Sequence, residues 1–220
     1  MSLRIADLIV NRVLVIDDDP KQWDGYGYPI EEMGLQPVYE KGPLRTIAEL
    51  LASFRKQADA LVCDYHLRIK NFSDHDGDHV VASCNYAGFP ALLCTTFADG
   101  ETTLMRSKRR YIPTLLKPDT YNPDAIHRGF ERCVNEHKGI FDPSRKPWRT
   151  LVRIVEVVEA RRYFYVLIPG WDAKQKIRVY LDDLPAGLHG KIKPSDRMHA
   201  QVNLGATSSD ELYFSDWESA

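Results

Sequence analysis

The apolar run Ala60-Leu61-Val62-Cys63 stops at Asp64, and this junction limits the possible folds more than any other stretch of the chain. A short aliphatic run of this kind suits a strand buried on both faces of a parallel sheet, with a carboxylate admissible at its carboxyl end. Three other runs also end in reactive residues. They are Val13–Ile16 before Asp17-Asp18-Asp19, Ala91–Cys94 before Thr95-Thr96, and Ile112–Leu116 before Lys117-Pro118. Open α/β sheets collect their ligands outside the carboxyl ends of their strands, so these ends are expected to converge on Asp64.

The segments between the runs carry helical signals. Lys21 to Gly34 predicts a first helix whose front half is broken by Gly25, Gly27 and Pro29. Gln36–Glu40 is a second strand. Leu44 to Gln57 predicts a helix with Leu44, Ile47, Leu50, Leu51 and Phe54 on one face. A further helix runs from about His79 to Tyr86, and Asp99 to Arg110 predicts one that ends in basic residues. Asn122-Pro123-Asp124 opens the last, which reaches about Lys138. Five strands alternating with helices predict a doubly wound, flavodoxin-like parallel sheet over residues 1–138.

The texture changes after Gly139. Residues 139–149 contain two prolines and no helical period and read as a linker. Residues 150–220 carry short β-rich runs at Leu151–Glu159, Tyr163–Ile168, Lys176–Leu181, Met198–Leu204 and Leu212–Phe214. Such spacing predicts a small all-β barrel, OB-like or SH3-like.

Composition narrows the function classes. Hydrophobic residues make up 44% of the chain and charged residues 27%, which suits a folded globular protein. A formal net charge of −2 supplies no long-range pull toward nucleic acid or a membrane, and neither is an expected partner. The basic run Arg106 to Arg110 reads as a solvated helix face. Cys63, Cys84, Cys94 and Cys133 form no Cys-x-x-Cys pair and read as buried thiols. No stretch resembles a signal peptide or approaches a membrane span, so a cytoplasmic location is expected.

If the strand ends converge, Asp17, Asp18 and Asp64 crowd one site and call for a cation. Oxygen ligands with room for water suit Mg²⁺. Carboxylates beside Thr95 and Lys117 make a site for phosphoryl transfer onto a carboxylate oxygen. This ordered set resembles the receiver domain of two-component response regulators. That family carries an acidic pair after strand one, an acceptor aspartate after strand three, Thr/Ser after strand four and Lys-Pro after strand five. The resemblance implies that Asp64 is the phosphoacceptor and that Asp17 and Asp18 bind Mg²⁺ with the backbone carbonyl of His66. It also implies that Thr95 and Lys117 contact the phosphoryl group, that the Lys117–Pro118 bond is cis, and that the protein is a signalling protein rather than an enzyme. The implied partners are a histidine kinase or phosphotransfer protein and an unknown protein met by the barrel, with a homodimer also admissible.

Departures from the family pattern bear on the output. An insertion around Ile69–His75 delays the expected turn to Asp76-Gly77, Thr96 is bulky for its position, and Thr114 stands where a switch aromatic is usual. Two other functions compete. A haloacid-dehalogenase-like phosphatase would use Asp17 and Asp19 but leaves Asp64 without a role. A scaffold with a receiver fold would leave the whole acidic set unused.

Overall fold

The computed structural model describes residues 2–44, 46–67, 72–95 and 104–219. The chain divides into two compact units, Met1–Phe97 with Tyr111–Ile140, and Ala98–Arg110 with Phe141–Ala220.

The first unit opens with a hairpin, β1 (Leu3–Ile5) and β2 (Leu8–Val10), which the sequence reading did not anticipate. Its sheet then follows in chain order as β3 (Arg12–Ile16), β4 (Gln36–Tyr39), β5 (Ala60–Asp64), β6 (Ala91–Cys94) and β7 (Leu115–Leu116). The spatial order is β4-β3-β5-β6-β7, and every pairing is parallel. The predicted doubly wound sheet is therefore observed, with its order reversing between β3 and β5. Among the described residues, α1 (Trp23–Glu32), α2 (Ile47–Gln57) and α3 (Gly77–Tyr86) link β3 to β4, β4 to β5 and β5 to β6, and α4 (Pro123–His137) follows β7. Val13, Val15, Ala60, Val62 and Leu92 are buried in one core with Ile126, Phe130 and Cys133 of α4. These aliphatic strands are covered by helix rather than water, as parallel sheets require. All four cysteines are buried thiols.

Three expectations need correction. Helix α1 runs unbroken through Gly25, Gly27 and Pro29. Pro29 costs one backbone hydrogen bond there. A Cβ on Gly27 would stand 2.2 Å from the Tyr39 hydroxyl, so the glycine permits close helix–strand approach. The helix predicted from Asp99 to Arg110 is not formed in its described part. Residues 104–108 make turns, and a 3-10 turn follows at Arg109–Tyr111, while residues 99–103 lie outside the described residues. The Lys117–Pro118 bond is trans, since Gly42–Pro43 is the cis bond found among the described residues. Lys117 takes the extended conformation preferred before proline, and Pro118 starts a 3-10 turn, Pro118–Thr120. Of the features that set the chain apart from the family, residues 69–71 and Thr96 also lie outside the described residues.

The second unit is an antiparallel sheet of β8 (Trp148–Val158), β9 (Tyr163–Ile168), β10 (Asp172–Tyr180), β11 (Arg197–Val202) and β12 (Phe214–Ser219), in the order β10-β9-β8-β11-β12. Strands β8, β9 and β10 form a meander, and β11 returns to the other side of β8, which is Greek-key order. Among the described residues no ladder joins β10 to β12, so the hydrogen bonding gives an open sheet. The described ladders thus give the expected small β unit without the closure of an OB-like or SH3-like barrel. Phe164, Val166, Ile177, Val179, Met198, Ala200 and Phe214 alternate inward along their strands and form its core. Arg145, within the stretch that reads as a linker, is buried in this unit, and Tyr213 donates its hydroxyl to the Arg145 carbonyl.

Candidate functional site

Register decides which side chains meet at the carboxyl edge of the parallel sheet. Ile16 pairs with Cys63, so Asp17 and Asp64 follow on adjacent strands. Asp64 pairs with Cys94, which places Thr95 one residue further on. The Thr95 N–H donates to the Leu116 carbonyl at 3.0 Å, so Lys117 leaves the neighbouring strand end. A cavity of about 440 Å³ opens at this edge, lined by Asp17, Asp18, Tyr26, Asp64, His66 and Tyr121 among others. Thr95 is buried and Lys117 exposed, and neither lines the cavity. The structure thus gathers Asp17, Asp18, Asp64 and His66, and sets Thr95 and Lys117 at adjoining strand ends.

Asp17, Asp19 and Asp64 are held by short-range bonds. Asp17 Oδ1 accepts the Asp19 N–H at 2.7 Å, and Trp23 Nε1 donates to the Asp17 carbonyl at 3.3 Å. Asp19 accepts the Lys21 N–H and so caps the turn that leads into α1. Asp64 Oδ2 accepts the His66 N–H at 2.8 Å, while Oδ1 accepts the Tyr26 hydroxyl at 3.2 Å. Across the cavity Tyr121 donates to the Tyr26 carbonyl at 3.2 Å, and the two rings meet edge to face.

Burial, followed by the charges of Asp64, Asp18 and Asp19, raises the Asp17 pKa from 3.8 to about 6. Burial also raises the Asp64 pKa, opposed by its bonds from His66 and Tyr26. Among the described residues no group of three or more His, Cys, Asp and Glu side chains forms a ready-made metal cage. Mg²⁺ does not need one, because it keeps several waters and takes one or two carboxylates. The crowded, partly desolvated oxygens of Asp17, Asp18 and Asp64 are the hard donors it prefers, so the residues present fit that ion.

The raised Asp17 pKa has a stability consequence. Between pH 4 and 6 the folded state binds more protons at Asp17 than the unfolded state does, so its charge weakens the fold as pH rises through about 6. In chelator, Asp17→Asn is expected to raise the melting temperature at pH 7.5, and the gain should shrink below about pH 4. Thermal melts of both proteins across this range check the sign.

Sequence reasoning missed Tyr26 and Tyr121. Tyr26 lies one turn beyond Gln22, which also lines the cavity, and this i, i+4 spacing off the first strand end was the available signal. Burial drives the pKa of both phenols far up, so both remain hydrogen-bond donors at neutral pH.

Strand order and the acids at the switch point define the first unit as a doubly wound, flavodoxin-like fold with an acidic site at the carboxyl ends of its strands. Solved structures similar to it include a response regulator receiver domain protein from Clostridium thermocellum, at 11% identity and a TM-score of 0.45, covering 60% of this chain and 99% of that one. Another is the CheY-like receiver domain protein of Methanospirillum hungatei JF-1, at 18% identity and a TM-score of 0.42, covering 59% and 98%. The chemotaxis response regulator CheY4 of Vibrio cholerae is 19% identical with a TM-score of 0.40, covering 56% and 98%. No protein-family model and no curated protein matches the sequence. Among the described residues no helix is long and apolar enough to cross a membrane.

Proposed function

We propose that the chain is a response regulator that accepts a phosphoryl group on Asp64 and signals through its C-terminal β unit. The observation that carries this reading is the convergence of Asp17, Asp18 and Asp64 on one cavity at the switch point of the sheet. A carboxylate oxygen of Asp64 attacks phosphorus, the bond from phosphorus to the donor breaks, and the donor leaves with that electron pair. From a histidine kinase or phosphotransfer protein the leaving group is an imidazole nitrogen. Bound between Asp17, Asp18, Asp64 and the His66 carbonyl, Mg²⁺ would neutralise phosphoryl oxygens. The roles proposed for Thr95 and Lys117 are a hydrogen bond and a positive charge to the same oxygens, once Lys117 turns inward. The cytoplasm is the proposed setting and a protein the proposed partner of the β unit; pairing of two copies is compatible with this scheme. Asp19 is engaged in starting the turn before α1, so we assign it no acid–base role in a phosphatase.

Both oxygens of Asp64 are occupied before reaction. The Tyr26 bond to Oδ1 is the longer of the two, so Oδ1 is the oxygen released for attack and Tyr26 restrains it. A hydrogen bond to a charged acceptor contributes about 1.5–3 kcal/mol. Tyr26→Phe is therefore expected to speed phosphorylation by a small phosphodonor about tenfold or more, measured as the initial rate of phosphoprotein formation.

Trp23 offers a test of the site itself, because its indole N–H is bonded to the Asp17 carbonyl. Adding Mg²⁺ and then beryllofluoride, a phosphoryl mimic, should change tryptophan fluorescence in the native protein. The change should vanish in Asp17→Asn and in Trp23→Phe. A protein with a receiver fold used only as a scaffold would give no response to either addition.

A further inference from the structure

Arg106 reads from sequence as part of a solvated basic run, yet it is only 3% exposed. Its Nη1 donates to the carbonyls of Ser209, at 2.7 Å, and Leu212, at 2.9 Å, just ahead of β12. Its Nε is buried with no acceptor among the described residues. Burial lowers the Arg106 pKa to about 10, which leaves it a cation at neutral pH. Two neutral carbonyls use one nitrogen of a guanidinium whose fork can serve more, and a buried donor without an acceptor is costly.

The unsatisfied guanidinium borders a cavity of about 220 Å³, whose wall includes Tyr165, Lys176, Arg178, Ser209 and Asp210. The wall brings together Arg106, Lys176 and Arg178 with the carboxylate of Asp210, and Asp183 also acts on Arg106 from beside the cavity. Arg178 lies directly opposite Tyr165 across the β9–β10 ladder. Aromatic rings hold the cations: Arg178 lies 5.8 Å from the Tyr163 ring centre and 5.6 Å from that of Tyr180, and Lys176 is 5.9 Å from that of Tyr165. The nearest carboxylate to Lys176 is that of Glu156, at 3.7 Å across an exposed pair, which is weak. Ring faces orient a cation without neutralising it, so Arg178 and Lys176 stay available to an anion. A fork of guanidinium N–H groups matches phosphate oxygens, and Tyr165 presents a planar surface beside them.

We infer that this cavity binds a nucleotide, its phosphate held by Arg106, Lys176 and Arg178 and its base set against Tyr165. A free mononucleotide and a nucleotide unit within a single strand share that chemistry, and the test separates them.

The full chain is titrated calorimetrically in chelator with inorganic phosphate, AMP and ATP, and by anisotropy with a labelled oligo-dT. The double variant Lys176→Gln/Arg178→Gln changes side chains on the outer face of the sheet and leaves the core intact. Arg106→Gln is the more direct variant but also removes the bonds to Ser209 and Leu212. Binding of AMP or ATP that weakens about tenfold in the double variant and persists in Asp64→Asn supports a free nucleotide. Tighter binding of oligo-dT, with the same loss in the double variant, supports a nucleotide unit in a strand. Phosphate bound as tightly as AMP, no binding by any probe, or affinity unchanged in the double variant overturns the inference.

Discussion

Asp64→Asn is expected to abolish phosphorylation by a small phosphodonor while leaving the fold intact. The amide keeps the shape of the side chain, so the His66 N–H and the Tyr26 hydroxyl still meet an oxygen or a group of equal size. What disappears is the nucleophile, because an amide oxygen has no charge to form the acyl phosphate. Removing one of several crowded carboxylates should also relieve repulsion at Asp17, whose pKa is raised in part by Asp64. The variant should thus melt no lower than the parent at neutral pH, and phosphate incorporation should fall to background. A melting temperature well below that of the parent would mean that Asp64 is a structural carboxylate.

Gly77→Ala is expected to damage the same site from behind. Gly77 is the first residue of α3, follows the cap Asp76 and donates its N–H to the Tyr65 carbonyl at 2.7 Å. A Cβ there would stand 1.9 Å from the Asp64 carbonyl oxygen and 2.9 Å from Cys63 Sγ. The first of these is backbone and cannot swing aside, so either α3 moves outward or the end of β5 does. Overpacking of this kind costs about 1–3 kcal/mol, and a clash with backbone belongs at the upper end. Chemical denaturation should show a loss of about 3 kcal/mol, with phosphorylation slowed as well. Unchanged stability would mean that the Asp64 carbonyl is not packed against α3.

The two predictions separate what the sequence disclosed from what it hid. Asp17, Asp18, Asp64, Thr95 and Lys117 were legible because each follows an apolar run, and a parallel sheet turns the ends of such runs into neighbours. The Asp76-Gly77 turn was legible from composition, though its reason, the closeness of Asp64, is a tertiary fact. Tyr26 was hidden by the glycines and proline around it, which lower helix propensity but were overridden by packing against β4. Arg106 was misread because its acceptors, the carbonyls of Ser209 and Leu212, lie more than 100 positions away in sequence. A run of basic residues says nothing about such partners. Likewise Arg145 sits in a proline-flanked stretch with linker texture, yet it packs against the Tyr213 ring in the core of the β unit.

In the C-terminal unit, strand positions followed from β-rich runs and turn residues, with boundaries shifted by a few residues. Closure did not follow, because it depends on whether β10 and β12 pair, and nothing in either strand's own sequence decides that. In β9 Phe164, Val166 and Ile168 are buried, while Tyr163 and Tyr165 alternate with them on the other face. Their arrangement around the two cations required the register.

The central claim is that Asp64 accepts a phosphoryl group. The direct measurement is incubation of the native chain with acetyl phosphate and Mg²⁺, followed by intact-mass analysis and peptide mapping of the product. The account predicts one phosphoryl group per chain, stable to mild acid, labile to alkali and carried by the peptide containing Asp64. A chain that stays unmodified, or one whose label maps to a peptide without Asp64, would contradict it.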